Sequence, residues 1–146
     1  MALFVAYLLV TSAIAASVCP GFVVPAPGDV VRHFGPTGRW SGHWGIDVSA
    51  APGAPVRAIG PGRVTFVGRV VSNRTVTVDH GGAVVTSYSY LGSTSVSRGT
   101  VVGRGSPVGT AALHDGRDSF HLSVRIAGTY VDPIRLRRCA GDVSPG

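Results

Sequence analysis

Lysine and glutamate are both missing from this chain of 146 residues. Its 13 basic side chains are all arginine, and its 7 acidic ones are all aspartate. Without glutamate there is no H-E-x-x-H zinc helix and no glutamate general base. Long amphipathic stretches are lacking too, since no apolar period of 3.6 residues persists over ten residues or more. The 21 glycines and 10 prolines are scattered throughout. Both residues break helices, which excludes a helical bundle. Cysteine is scarce, with only Cys19 and Cys139. The length allows one domain. Arginine without lysine, beside abundant Ala, Gly and Val, is the mark of GC-rich coding and carries little functional weight.

The opening stretch MALFVAYLLVTSAIAAS has no charged side chain and contains Ala13-Ile14-Ala15, an A-x-A cleavage pattern. Residues 1–15 therefore read as a secretory signal peptide. The run is too short for a comfortable membrane span. Its n-region has no basic residue, so an uncleaved anchor or a misassigned start codon are the alternatives. Membrane association follows only if the segment stays uncleaved. Cys19 follows Val18 rather than a lipobox, which argues against lipidation. Export makes a Cys19–Cys139 disulfide permissible. It would tie the two ends of the domain together, and a loop that long is worth about 4–5 kcal/mol in the chain-entropy picture.

Residues 16–42 are rich in Pro and Gly and read as an N-terminal arm and loop. The β domain is expected over 43–136, followed by a frayed tail at 137–146. Runs rich in β-branched and aromatic residues predict strands at Val56–Ile59, Arg63–Val71, Thr75–His80, Val84–Leu91 and Phe120–Ile126. Thr75-Val-Thr-Val-Asp-His80 alternates cleanly, so one face of that strand is buried. Between Val96 and Gly109 a valine or glycine recurs every three residues. That period suits a chain that bends repeatedly, with glycines at the turns and valines in the core. The fold class is all-β: a single-domain antiparallel β-sandwich or open barrel.

His43-Trp-Gly-Ile-Asp47 sets an imidazole and a carboxylate four residues apart, and His121 lies in the alternating strand far along the chain. Two imidazoles and one carboxylate, with a fourth position open to water, are the donor set of a catalytic zinc site. Spacing alone leaves open a surface histidine and a turn-capping aspartate.

Four collinear segments carry more information. They are HWGIDVSAAPGAPVRAIGPGRVTFVG, TVTVDHGGAVVTSYSYL, VSRGTVVGRGSPVG and FHLSVRIAGTYVDP. Together, over about Val30 to Leu136, the chain resembles the lysostaphin/LytM-type zinc endopeptidases, which cut peptide bonds of bacterial peptidoglycan. The resemblance implies an antiparallel β fold with a groove over its larger sheet and one zinc ion at the groove floor. His43, Asp47 and His121 match the family's three metal ligands. Trp44 and Ile46 would pack beneath the ligand loop, and Gly45 would permit its close turn.

The same resemblance exposes departures. The family's H-x-H motif has a non-ligand histidine where this chain has Ser119, and its Y-x-H-L motif has another where this chain has Tyr90. Those imidazoles handle the proton of the attacking water and stabilise the tetrahedral intermediate. Serine has no useful basicity near neutral pH. Tyrosine can donate to an oxyanion but cannot act as a base, because its ordinary pKa is about 10. Ser123 replaces the motif's glutamate. Tyr90 is therefore a candidate oxyanion donor. His114, in Leu113-His-Asp-Gly116, is either a candidate substitute base or a solvated loop histidine. His80 reads as structural or groove-lining. His33 is either a supporting residue behind the ligands or without a role.

The formal net charge of +6 would draw an exported domain toward the anionic polymers of a cell wall. The arginines are dispersed apart from Arg135, Arg137 and Arg138, and no nucleic-acid fold signature appears. The expected partners are peptidoglycan peptides, with a second cell-wall hydrolase as a further candidate, and no nucleic acid. The expected location is secreted or at the cell wall. Two functions remain open on the residues: an active zinc endopeptidase, or an inactive zinc-retaining module that binds peptidoglycan or regulates a hydrolase.

Overall fold

A computed structural model of the protein describes residues 25–136. The signal segment, both cysteines with their disulfide, and the tail from 137 lie outside the described residues. The strands, in chain order, are β1 (Val30–Arg32), β2 (Gly35–Pro36), β3 (Gly42–His43), β4 (Ile46–Ser49), β5 (Pro55–Arg57), β6 (Gly62–Val70) and β7 (Asn73–Asp79). They continue with β8 (Val84–Ser89), β9 (Leu91–Thr94), β10 (Val101–Val102), β11 (Pro107–His114), β12 (Arg117–Ile126) and β13 (Thr129–Val131). Beyond them the described residues hold one short helical turn at 134–136. No helix among them is long and apolar enough to cross a membrane. The chain is all-β, antiparallel and open, as expected.

The main sheet runs β1-β4-β12-β8-β7-β6-β10. Strand β11 leaves it beside the start of β12 and forms a smaller layer with β5 and β9. Alternation decides which residues go inside. Along β8 and β12, Val84, Thr86, Tyr88, Phe120, Leu122 and Val124 face the core and are almost fully buried. They meet Val56, Val108, Leu91 and Ala111 of the smaller layer. The other face of the main sheet carries Thr75, Thr77, Ser87, Ser89, His121, Ser123 and Arg125.

Two features of the core follow from buried polar groups needing partners. The Tyr88 hydroxyl accepts from the Ile59 N–H at 2.8 Å and lies 3.2 Å from Thr86 Oγ1. Burial pushes the Tyr88 pKa up to about 12. His80 completes the chain: its Nδ1–H donates to the Pro61 carbonyl at 2.8 Å, and its Nε2 lies 2.8 Å from Thr86 Oγ1. Burial lowers the His80 pKa against the opposing pull of that carbonyl and of Asp79. His80 is thus structural and serves the core side of the sheet.

The chain bends at Gly99 and Gly105, both at positive φ, with Val102 and Val108 buried between and after them, as the three-residue period predicts. Val30–Arg32, in the segment read as arm and loop, forms the edge strand β1 beside β4.

Strand β11 was not predicted. Its sequence PVGTAALH holds small residues that obscure alternation. A hairpin signal was nonetheless present: Asp115-Gly116 joins β11 to β12 in a two-residue turn with φ of 50° and 70°, the left-handed pair that Asp-Gly favours. His114 therefore ends a strand and is buried, and the solvated-loop reading of this histidine is corrected.

Candidate metal centre and groove

The register of the sheet assembles the site. Asp47 on β4 stands directly across from His121 on β12, and His121 stands across from Ser89 on β8. Ser89 in turn pairs with Thr75 on β7. His43 arrives from the short β3, which pairs with β2 in a tight ladder. Gly42 turns this ladder at φ +91°, where a Cβ would lie 2.4 Å from the Thr37 nitrogen.

Three donor atoms converge. Asp47 Oδ1 lies 3.0 Å from His43 Nε2 and 2.8 Å from His121 Nδ1, and the two nitrogens are 3.1 Å apart. The His43 and Asp47 side chains are nearly buried, and His121 is partly open. The tautomer of His43 is determined from behind. Its Nδ1–H donates to the His33 carbonyl at 2.8 Å, which leaves the Nε2 lone pair aimed at the Asp47 carboxylate. His33 contributes through its backbone while its own residue is exposed. A lone pair facing a carboxylate oxygen at 3.0 Å is repulsive unless a cation or a proton lies between them. The donor chemistry and the mutual distances fit one zinc-sized ion held by His43, Asp47 and His121.

Burial works to raise the Asp47 pKa. The hydrogen bond from His121 and the fields of His43, His121 and His114 outweigh it and hold the carboxyl below its ordinary value. Gly45 is required by contact rather than by φ. A Cβ there would lie 2.3 Å from the Leu122 carbonyl oxygen and 2.6 Å from His121 Nε2. Ile46 packs in the core beneath the loop as expected. Trp44 does not: it stands beside the groove, 6.3 Å from the Phe34 ring and 5.7 Å from the Tyr130 ring.

His114 joins the centre from β11. Its Nε2 lies 3.4 Å from Asp47 Oδ2 and 3.7 Å from Asp115 Oδ2. Its ring stacks on Tyr90 with centroids 3.5 Å apart. Tyr90 adopts φ +63°, a left-handed conformation that is costly for an aromatic residue. His114 Nδ1 is buried without a hydrogen-bond partner. Burial lowers the His114 pKa, partly opposed by Asp47 and Asp115 and reinforced by His121 and His43. Ser119, on β12 opposite Ala112 of β11, is also buried and lies two residues along from Arg117, the partner of His114.

From the His121 end a groove of about 530 Å³ runs over β12, β8 and β7. Its floor is a hydroxyl ladder. Thr75 Oγ1 donates to Ser89 Oγ at 3.0 Å, Thr77 and Ser87 hydroxyls meet at 2.9 Å, and Ser123 continues the second row. Trp44 and Tyr130 stand on one side, and Phe66 and Val70 on the other. The groove role of Thr75, Thr77, Ser87 and Ser89 is carried in the sequence only by their alternation with Val76, Val78, Thr86 and Tyr88.

Comparison with known proteins bears on this arrangement. Residues 41–133 match the model of Peptidase family M23. The chain is 31% identical to the cell division protein DipM of Caulobacter vibrioides, over 78% of this chain and 19% of that protein. It is 36% identical to the DD-carboxypeptidase/endopeptidase Mpg of Neisseria meningitidis, over 66% of this chain and 23% of that protein. It spans only about a fifth of the length of these relatives. A zinc-containing peptidase from Vibrio cholerae superposes with a TM-score of 0.66 at 27% identity, covering 76% of this chain and 37% of that one.

Proposed function

The chain belongs to Peptidase family M23, and from that membership we propose that it is an exported zinc metalloendopeptidase-like domain acting on peptide bonds of peptidoglycan. The observation that carries the reading is the convergence of the nearly buried His43 and Asp47 with the partly open His121 at the head of the groove. The names of two relatives, a cell division protein and a DD-carboxypeptidase/endopeptidase, support a substrate in the cell envelope.

Zinc held by His43, Asp47 and His121 would supply a water of lowered pKa and a Lewis acid for the scissile carbonyl. The protein's own groups do the rest. The His33 carbonyl holds His43 in its ligating tautomer. His114 takes the place of the proton-handling imidazole that Ser119 does not provide. Its Nε2, 3.4 Å from Asp47 Oδ2, is the nitrogen turned toward the ligand carboxylate and would accept and return the proton, while its Nδ1 is buried without a partner. Tyr90 holds the His114 ring by stacking, and its role as candidate oxyanion donor rests on the family resemblance alone, since its side chain is not among those lining the groove.

A second reading has its own support in Ser119 and Tyr90, which stand where the family's histidines are expected. On it, the domain keeps zinc and binds wall peptide, or activates another hydrolase, without cutting. Release of new amino groups from purified peptidoglycan separates the two. Cleavage that disappears in Asp47→Ala and His114→Ala supports the enzyme. Peptidoglycan pull-down with a full equivalent of zinc and no cleavage overturns it in favour of the module.

A further inference from the structure

The far end of the groove carries a charge that the metal centre does not use. Arg125 is on the groove face of β12, four residues beyond His121 and so roughly 13 Å along the strand. Its guanidinium lies over the Tyr130 ring, 5.7 Å from the centroid, which holds it in place. No carboxylate among the described residues lies within ion-pair distance of it.

Its surroundings explain why. Across β8 its neighbour is Val85, across β13 it is Tyr130, and two residues back on the same face it is Ser123. Asp79 shares the row but stands two strands away, about 10 Å off. Its Oδ1 is occupied with the Gly81 N–H at 2.8 Å. The residues lining the groove include no aspartate at all. Arg125 is thus the one formally charged side chain on a hydroxyl floor, half-buried and held by an aromatic ring. Such a group is suited to a planar anion, which it can meet with two parallel N–H bonds.

We infer that Arg125 receives a free carboxylate of the bound peptide, about four extended residues from the bond at the metal, and so selects acidic over amidated peptides. The inference rests on the reading that peptide lies in this groove. The carboxylate comes either from the peptide's C-terminus or from a side chain, and the guanidinium chemistry is the same for both.

The test uses the zinc-loaded chain and three synthetic peptidoglycan stem peptides with a fluorophore at the N-terminus. One has every carboxylate free, one has only its C-terminus as the carboxamide, and one has only its side-chain carboxylate as the carboxamide. Binding is read by fluorescence anisotropy for the wild type, Arg125→Ala and Arg125→Lys. The expected result is a loss of about tenfold for one of the two amidated peptides in the wild type. Which one it is identifies the source of the carboxylate. Arg125→Ala should bind all three alike, with zinc content unchanged, and Arg125→Lys should keep part of the preference. Equal binding of the three peptides by the wild type, or an undiminished preference in Arg125→Ala, overturns the assignment while leaving the peptide groove intact. No binding of any of the three overturns the groove reading together with it.

Discussion

Gly45→Ala is the smallest change that should damage the proposed metal centre without replacing a ligand. The added Cβ would lie 2.3 Å from the Leu122 carbonyl oxygen, 2.6 Å from His121 Nε2 and 2.7 Å from His121 Cε1. Real Cβ contacts essentially never fall below 3.0 Å, so something must move. The carbonyl belongs to β12, which is held on both sides by β4 and β8, so the strand gives little. Either the loop carrying His43 lifts or the His121 ring turns away from Asp47. Overpacking of this kind costs about 1–3 kcal/mol. Displacing a ligand's support typically lowers metal affinity by about 10–100-fold. Zinc affinity measured by chelator competition should fall within that range, and Tm should drop by several degrees at about 4 °C per kcal/mol. Gly35→Ala is the control, because a Cβ there meets nothing within 4 Å and no positive φ is required. If Gly45→Ala matches the wild type in zinc affinity and Tm, the close approach that defines the ligand loop is wrong.

Other perturbations separate the core from the centre. His114→Ala should keep a full equivalent of zinc and lose about two to four powers of ten in peptide cleavage, measured by amino-group release. Ser119→His should lose about 1–3 kcal/mol in chemical denaturation, because the site is fully buried, and pairing it with His114→Ala should recover part of that loss. Tyr88→Phe leaves the buried Ile59 N–H unpaired, so it should cost about 1–3 kcal/mol in the same assay without changing zinc binding. The His80 pKa is lowered on folding, so between its folded value and the ordinary 6.5 the unfolded chain binds more protons. The stability it contributes is complete above pH 6.5 and is lost as pH falls toward the folded value. Tm should therefore decline on acidification below that point, and His80→Asn should flatten the decline.

The β class, the strands β6, β7, β8 and β12, and the ligand set His43, Asp47 and His121 as a candidate were legible in the sequence. Alternation and turn chemistry are local properties, and a period of two names the buried face of a strand without reference to any partner. Register is not local. That Asp47 faces His121, and His121 faces Ser89, depends on how β4, β12 and β8 align. His114 shows the limit best. The chain around it is small and glycine-bearing, and it becomes a strand because β11 finds partners in β5, β9 and β12. That pairing, closed by the Asp115-Gly116 turn, brings a histidine read as either loop or base to within 3.4 Å of the Asp47 carboxylate. Arg125 is similar. Its place on β12 was readable, but its lack of a counter-charge emerges only when the residues across β8 and β13 are known to be Val85 and Tyr130. The sequence alone determined which residues could act. The tertiary structure decided which of them meet, because cross-strand neighbours are set by register and by long-range pairing rather than by spacing along the chain.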